Sequence, residues 1–230
     1  MIRPIRLRRR RILIDIDTQK DLFLADGAAC VRNHRRVLMN IRRALAWARV
    51  KHIRVVSTEL CKPGRNGDKF CIIGTDGQHK ISYTLRNRKI EFSADGCTDL
   101  QRDLFARYDQ VILHKRCDDP FNEPRAERLL SELKAGEFIV IGAVAEGAVV
   151  ATVLGLLQRG KRVTVLIDAV GTHDRQKADV AFRKMKAKGA ILAETRAYAG
   201  STRLRTVGVC GCKLCRIDEK QQQLKTSIGA

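Results

Sequence analysis

The residues with the greatest chemical potential follow short apolar runs at separate points of the chain. Asp17 comes directly after the run Ile12–Ile16, and Lys115 follows a second apolar run. A third run leads into a turn of small residues at positions 142–148. A carboxylate can transfer protons and an ammonium can hold a developing negative charge, so this set suits acid–base chemistry on a small substrate.

Six runs rich in Ile, Val and Leu predict buried β-strands, and helical patterns separate most of them. The alternation predicts an α/β fold, a doubly wound and largely parallel six-stranded sheet with helices on both faces in a Rossmann-like three-layer arrangement. Ligands of such sheets bind at the carboxyl ends of the strands, where Asp17 and Lys115 should meet. The expected strands are Ile12–Ile16, Ile53–Val56, Gln110–Leu113, Phe138–Ile141, Val163–Ile167 and Ala190–Ala193, and the expected helices are Asn33–Lys51, Asn122–Ala135, Gly147–Arg159 and Asp174–Lys188.

The sequence divides into an arm, one domain and a tail. Residues 1–10 form a basic arm, residues 11–195 carry the α/β pattern, and residues 196–230 have no apolar periodicity. Within the domain, residues 58–109 break the alternation with a glycine-rich loop and a short extra element around Asp99–Tyr108. We expect this segment to be an insertion or lid.

Four segments in order carry a family likeness. Residues 14–23 read IDIDTQKDLF, Cys71–Gly77 reads CIIGTDG, Lys115 is followed six positions later by Phe121, and Ile141–Thr152 spans the small-residue turn. They resemble the opening strand, the Cys-x-x-Gly-Thr-x-Gly loop, the lysine segment and the nucleophile segment of the isochorismatase-like hydrolase superfamily, which includes nicotinamidases and other cysteine hydrolases. The resemblance implies an isochorismatase-like fold over residues 11–195.

The same resemblance implies roles for individual residues. Asp17 and Lys115 would be catalytic, and Ala148 occupies the position of the nucleophilic cysteine. A non-proline cis peptide bond is implied between Ala143 and Val144. The implied substrate-binding residues are Gln19, Phe23, Phe121, Ala143, Val144 and Gly147.

Ala148 is the main departure from the cysteine hydrolases. A methyl group cannot attack a carbonyl, so covalent amide hydrolysis loses its central reagent. Isochorismatases also carry a small residue there and use the aspartate as an acid, although Val144 and Glu146 differ from their turn. The resemblance therefore implies a hydrolase that acts on a small anionic substrate by Asp-based acid–base chemistry and requires no cofactor. The alternatives left open are a substitute thiol at Cys117 and a catalytically inactive binding or scaffold protein.

Composition adds a strong positive charge. The 230 residues include 45 Lys and Arg against 25 Asp and Glu, a formal net charge of +20. This imbalance favours polyanions, and nucleic acid is one such partner, bound through its phosphates. Only 5% of the residues are aromatic, which argues against a base-stacking surface. A homo-oligomer is implied by the family likeness alone.

The cysteines and hydropathy indicate a reducing compartment. No export signal and no uncharged run of about 18 apolar residues is found, so we expect a cytoplasmic protein without membrane contact. The eight cysteines are then read as thiols or metal ligands before disulfides. Cys210, Cys212 and Cys215 could hold zinc if a fourth ligand came from elsewhere. Glu59-Leu60-Cys61 stands where nicotinamidases carry a metal-binding pair, and here the sequence favours a solvated loop.

Overall fold

Seven parallel strands form a central sheet in the part of the chain that the structure describes. The structure, a computed structural model, describes residues 11–65 and 67–200. The strands are β1 (Arg11–Ile16), β2 (Arg54–Leu60), β3 (Lys89–Phe92), β4 (Gln110–Lys115), β5 (Glu137–Gly142), β6 (Val163–Val170) and β7 (Ile191–Ala193). They are hydrogen-bonded in the order β3-β4-β2-β1-β5-β6-β7, and every pair is parallel. The α/β fold class predicted from the sequence is confirmed.

Helices cover both faces of the sheet. On one face α2 (His34–Val50) buries an apolar stripe, and on the other α4 (Pro124–Glu132), α5 (Val150–Gln158) and α6 (Arg175–Ala187) pack against the strands. The turn Ala145–Val149 has non-helical backbone angles at Gly147 and leads directly into α5. The helices are α1 (Lys20–Phe23), α2 (His34–Val50), α3 (Leu104–Arg107), α4 (Pro124–Glu132), α5 (Val150–Gln158), α6 (Arg175–Ala187) and α7 (Arg196–Ala199).

The ends of the helices follow local chemistry. The Asp174 carboxylate caps α6 by accepting hydrogen bonds from the backbone N–H groups of Gln176 and Lys177. Gly160 and Gly189 adopt positive φ just after α5 and α6, in agreement with the stops predicted there. Within the described residues no helix is both long and apolar enough to cross a membrane.

The strand count differs from the prediction by one. The additional strand, β3, lies at the edge of the sheet and pairs only with β4. Its sequence, Lys-Ile-Glu-Phe, alternates charged and apolar residues because one side is open, so it lacks the continuous apolar run that marks a buried strand. The segment expected to be an insertion, residues 58–109, therefore contains the end of β2, all of β3 and α3.

Sheet order and register determine where a site can form. From β1 the chain adds strands on one side of the sheet, and from β5 it adds them on the other, so the strand order reverses between these two neighbours. Ile16 at the end of β1 lies beside both Thr58 and Gly142. The last residue of β4, Lys115, lies beside Leu60. The carboxyl ends of β1, β2, β4 and β5 thus share one edge at the point of reversal.

Candidate active site

Asp17 and Lys115 form a buried ion pair at this edge. The Asp17 Oδ2 atom lies 2.7 Å from Lys115 Nζ, and the two side chains are 2% and 0% exposed. Asp17 Oδ1 accepts a hydrogen bond of 2.6 Å from the Thr58 hydroxyl. Asp17 itself adopts a left-handed backbone conformation, with φ of 46°, where β1 ends. The sheet thus brings together the two residues that the sequence placed in one site.

The Lys115 ammonium also binds backbone. It donates to the carbonyl oxygen of Cys117 at 3.1 Å, while the Cys117 side chain is exposed and its sulfur accepts from the Asn122 amide at 3.4 Å. An ammonium has three hydrogens, and the contacts with Asp17 and Cys117 use two of them. The lysine therefore contacts the backbone of the cysteine that was considered as a substitute nucleophile, and the thiol has a different partner.

The turn after β5 packs against the end of β1. Gly142 has φ of 123°, and a Cβ atom there would lie 1.9 Å from the carbonyl oxygen of Ile16, so only glycine fits. The backbone N–H of Ala143 donates to that same oxygen at 2.9 Å. The peptide bond between Ala143 and Val144 is cis, as the family likeness implied. Ala148 follows in the turn Ala145–Val149 and is 2% exposed.

Asp118 lies over this turn and was not found by sequence reasoning. A Cβ atom on Gly147 would lie 2.7 Å from the Asp118 carboxylate oxygen Oδ2, so the two residues are in close contact. Asp118 is exposed and lies three positions after Lys115. The loop after β4 therefore contacts both the ion pair, through Cys117, and the small-residue turn, through Asp118. Position relative to Lys115 is the only sequence signal for it.

The residues predicted to bind substrate divide into two groups. Gln19 and Phe23 are buried: the Gln19 amide donates to the carbonyl oxygens of Leu60 and Gln78 and accepts from the Leu60 N–H, and Phe23 lies in the core. Phe121 packs against α5 at Gly155 beneath the guanidinium of Arg159. Ala143 is also buried, whereas Val144 and Gly147 are half-buried at the surface of the turn.

Glu146 is the one charged residue of the turn at positions 142–148. Its carboxylate accepts hydrogen bonds from the Thr172 hydroxyl and from the backbone N–H groups of His173 and Asp174, at 2.7 to 3.0 Å. The side chain therefore links the turn to the loop after β6. In this chain the residue fixes the turn in place.

A second buried ion pair lies close by on β1. Asp15 Oδ2 is 3.0 Å from Lys80 Nζ, with side chains 0% and 1% exposed. Lys80 also donates to the carbonyl oxygen of Thr58, whose hydroxyl binds Asp17. The loop after β2 is thus anchored to the strands that hold the site.

Three potential metal ligands meet beside β2. Glu59 and His114 are register partners on β2 and β4, Cys61 follows two residues on, and one ligand atom from each lies within 4.8 Å of the others. The expectation of a solvated loop here is wrong, because Glu59 and Cys61 are buried at the end of β2. Sequence reasoning missed His114, since only the strand register brings it opposite Glu59.

The donor set fits a divalent cation. The buried Nε2 atom of His114 has no hydrogen-bond partner among the described residues. The Gln78 amide donates to Glu59 Oε1 at 3.1 Å and to Cys61 Sγ at 3.3 Å. These two acceptor atoms are also ones that would coordinate a cation. Imidazole, thiolate and carboxylate groups are the ligands that zinc prefers.

Burial keeps the nearby thiols neutral. Burial, with the neighbouring Glu59 charge, raises the pKa of Cys61 to about 12. Burial, with the charges of Asp17 and Asp21, also raises the pKa of Cys71 well above its ordinary value. A thiol attacks as its thiolate, so neither cysteine is a reactive nucleophile as the site stands. Cys61, Cys71, Cys97 and Cys117 are free thiols. Cys210, Cys212 and Cys215 lie outside the described residues, as does the basic arm.

A family model places this geometry among known proteins. The model of the isochorismatase domain matches residues 11–197. The chain belongs to the isochorismatase family. A search of curated protein sequences gave no significant match.

Solved structures of the isochorismatase type resemble the chain in fold. Pyrazinamidase of Pyrococcus horikoshii in complex with zinc is 21% identical, with a TM-score of 0.62 over 80% of this chain and 99% of that chain. N-carbamoylsarcosine amidase from Thermoplasma acidophilum is 17% identical, with a TM-score of 0.60 over 81% and 96%. MAR1 ribonuclease from Caenorhabditis elegans is 22% identical, with a TM-score of 0.58 over 83% and 79%. At these identities the likeness shows the fold alone.

Proposed function

We propose that this isochorismatase-family chain is a hydrolase of a small anionic substrate that works by acid–base chemistry on Asp17, without a cysteine nucleophile. One observation carries the proposal: Asp17 and Lys115 are paired at 2.7 Å at the same sheet edge as the turn that contains Ala148. A buried ion pair is costly to form, and family membership gives this one a catalytic reason to exist.

The pair can support hydrolysis by water. Each Asp17 oxygen accepts one described contact, from Thr58 or from Lys115, which leaves lone pairs free to take a proton. Asp17 would remove a proton from the attacking water and return it to the leaving group, so the carboxylate is restored after each turnover. The remaining hydrogen of Lys115 would bind the anionic group or the developing negative charge.

Glu59, Cys61 and His114 would hold a divalent cation beside this pair. A bound cation would polarise an oxygen of the substrate or orient its anionic group. The zinc complex of the Pyrococcus pyrazinamidase supports this assignment at the level of fold. Cys210, Cys212 and Cys215 remain a separate proposed zinc site.

The test compares two buried aspartates. Asp17→Asn should abolish turnover of every substrate found in a panel of isochorismate, other enol ethers and amides. Asp15→Asn is the matched control because it also leaves a buried lysine, Lys80, without its carboxylate. It should cost similar stability and retain activity. Equal loss of activity in both variants would contradict a chemical role for Asp17.

A double variant separates loss of catalysis from loss of folding. Removing one partner of a buried pair costs about 3–5 kcal/mol, so Asp17→Asn could unfold the chain. Asp17→Asn combined with Lys115→Met removes both charges and should restore thermal stability without restoring activity. Wild-type protein that turns over no member of the panel would reject the hydrolase proposal.

The second candidate is a catalytically inactive binding or scaffold protein of the same fold. It is favoured by Ala148, which removes the nucleophile, and by the net charge of +20, which favours nucleic acid or another polyanion. Absence of any Asp17-dependent turnover in the panel, with the chain folded, would favour this candidate.

A further inference from the structure

A large groove lies at the edge of the sheet opposite Asp17 and Lys115. It has a volume of about 1180 Å³ and is lined by the first residues of β1 and β2, the C-terminal turns of α2 and α4, and α3 with the residues before it. Because all strands are parallel, their amino ends share this edge and their carboxyl ends share the other. The groove and the ion pair are therefore separate sites.

Positive charge dominates the rim of the groove. Six lining residues are Lys or Arg and two, Asp103 and Glu132, are acidic. Within the part of the chain that the structure describes, Arg102, Lys51 and Lys134 are exposed and form no ion pair. The six cations are Arg11, Lys51, Arg54, Arg102, Arg128 and Lys134.

The floor of the groove is apolar and partly aromatic. Trp47, Phe105 and Leu133 are half-buried there, and the Trp47 ring is held edge-on by Tyr198 with centroids 5.5 Å apart. A ligand that fits must present negative charges to the rim and flat apolar groups to the floor. Single-stranded nucleic acid has this alternation, with phosphates along its backbone and exposed bases.

The size of the groove is compatible with the same partner. Its volume of about 1180 Å³ lies just above the usual range of about 300–1,000 Å³ for small-molecule pockets, so the groove can take a ligand larger than a typical small molecule.

We propose that this groove binds single-stranded nucleic acid, with phosphates on Lys51, Arg102 and Lys134 and bases over the floor around Trp47 and Phe105. The inference does not depend on the hydrolase proposal, because no residue of the groove belongs to the Asp17 site. It also revises the sequence-based expectation that scarce aromatic residues exclude stacking, since one groove collects two of them.

The test uses the full chain and a fluorescein-labelled oligouridine of about 12 nucleotides, with binding measured by fluorescence anisotropy. The groove variant combines Lys51→Gln, Arg102→Gln and Lys134→Gln. The matched control combines Lys184→Gln, Lys186→Gln and Lys188→Gln, which removes the same charge from exposed lysines at the C-terminal end of α6, outside the groove. Both variants retain residues 1–10, and thermal melting confirms that both are folded.

We expect the groove variant to bind at least about tenfold more weakly near 0.1 M salt, and the control to change by less than about twofold. Loss of three phosphate contacts should also reduce the slope of log Kd against log salt by about 2, at about 0.7 per contact. Trp47→Leu should weaken binding of the single-stranded oligonucleotide and leave heparin binding unchanged. This comparison separates contacts with the bases from attraction by charge alone.

Three results would overturn the proposal. The first is an equal loss of oligonucleotide affinity in the groove variant and the α6 control. That result would mean that binding depends on the overall positive charge and not on the groove. The second is tighter binding of a matched duplex than of the single strand. The third is groove-dependent binding of phosphatidylserine vesicles with none of the oligonucleotide, which would make the partner an anionic lipid surface.

Discussion

At the scale of single residues, the sequence resemblance implies that Ala148 stands where cysteine hydrolases carry their nucleophile. Ala148 lies in the turn that leads into α5, at the same sheet edge as the Asp17–Lys115 pair. The turn is held by Gly142 against Ile16 and by Glu146 against the loop after β6. The structure thus holds Ala148 in a fixed turn, at the position where the sequence resemblance implies a nucleophile.

Restoring the thiol should produce a reactive cysteine. We expect Ala148→Cys to react with iodoacetamide at position 148 faster than the exposed native Cys117 does at neutral pH. The start of α5 and the Lys115 ammonium both favour a thiolate there. Peptide mapping after timed quenching gives both rates in one sample, with buried Cys71 as the slow reference. Labelling at position 148 that is no faster than at Cys117 would mean that the position is not a nucleophile site.

Cobalt provides an optical test of the ligand cluster. Co²⁺ added to the full chain should give a sulfur-to-metal charge-transfer band that Cys61→Ser removes and Cys71→Ser retains, because Cys71 is buried but outside the cluster. His114→Ala should weaken binding. A band that survives Cys61→Ser and disappears when Cys210, Cys212 and Cys215 are all changed to serine would assign the metal to the C-terminal cysteines.

Whether the sequence could predict a site residue depended on what determines the position of that residue. Asp17 and Lys115 were predictable because both directly end buried strands, and parallel strands end at one edge. His114 was not, because its contact with Glu59 depends on the register between β2 and β4, which involves residues 55 positions apart. Asp118 was not, because the path of an irregular loop sets its position over Gly147.

At the scale of elements, Glu137 joins four parts of the fold. Glu137 is the first residue of β5. Its carboxylate accepts hydrogen bonds from Tyr198 of α7 at 2.6 Å, Thr164 of β6 at 2.8 Å and Arg11 of β1 at 2.9 Å. Burial alone would raise the pKa of this carboxyl, but the three donors outweigh burial and hold the pKa below its ordinary value of 4.5. The ionised form therefore stabilises the junction.

This junction predicts a pH-dependent stability. A lowered pKa in the folded state gives stability that is present above the ordinary value of 4.5 and is lost as pH falls through the lower value. Glu137→Gln should reduce the free energy of unfolding at pH 7 by about 1–3 kcal/mol, as expected for hydrogen bonds to a charged group. Urea titrations at pH 7 and near pH 3 should show the difference from wild type shrinking in acid.

Glu132 provides the control for this prediction. It forms an exposed i,i+4 pair with Arg128, so Glu132→Gln should change stability by less than about 0.5 kcal/mol at either pH. A Glu137→Gln penalty that stays constant with pH would show that charge at Glu137 has no part in the junction.

Elements that are buried on both faces of the sheet were predicted more accurately than exposed or short ones. The strands β1, β5 and β6 are rich in apolar residues because helices cover both faces of the sheet, and the sequence located them within a few residues. β3 was missed because its open edge permits Lys89 and Glu91. α3 lies within the short extra element expected around residues 99–108. With four residues, it is too short to show the apolar period that would identify a helix.

At the scale of the whole molecule, the net charge of +20 acts on stability as well as on binding. Like charges on a folded chain repel one another, and salt screens that repulsion. Raising NaCl from about 0.01 M to about 0.1 M shortens the screening length from about 30 Å to about 10 Å. We expect Tm to rise by about 2–4 °C, the equivalent of about 1 kcal/mol in a chain of this size. Differential scanning calorimetry checks this, and a Tm that falls with salt would mean that attractive ion pairs dominate.

The outer strands of the sheet also bear on how copies of the chain meet. β3 has four residues and β7 has three, the shortest strands in the described sheet. An unpaired strand edge is a template onto which another chain can add by backbone hydrogen bonds, and short edges with charged side chains oppose this. Lys89 and Glu91 on β3 are such charges, so the fold offers little surface for runaway sheet extension or amyloid-like stacking. We expect any homo-oligomer to assemble through helical or loop surfaces and to remain finite in size.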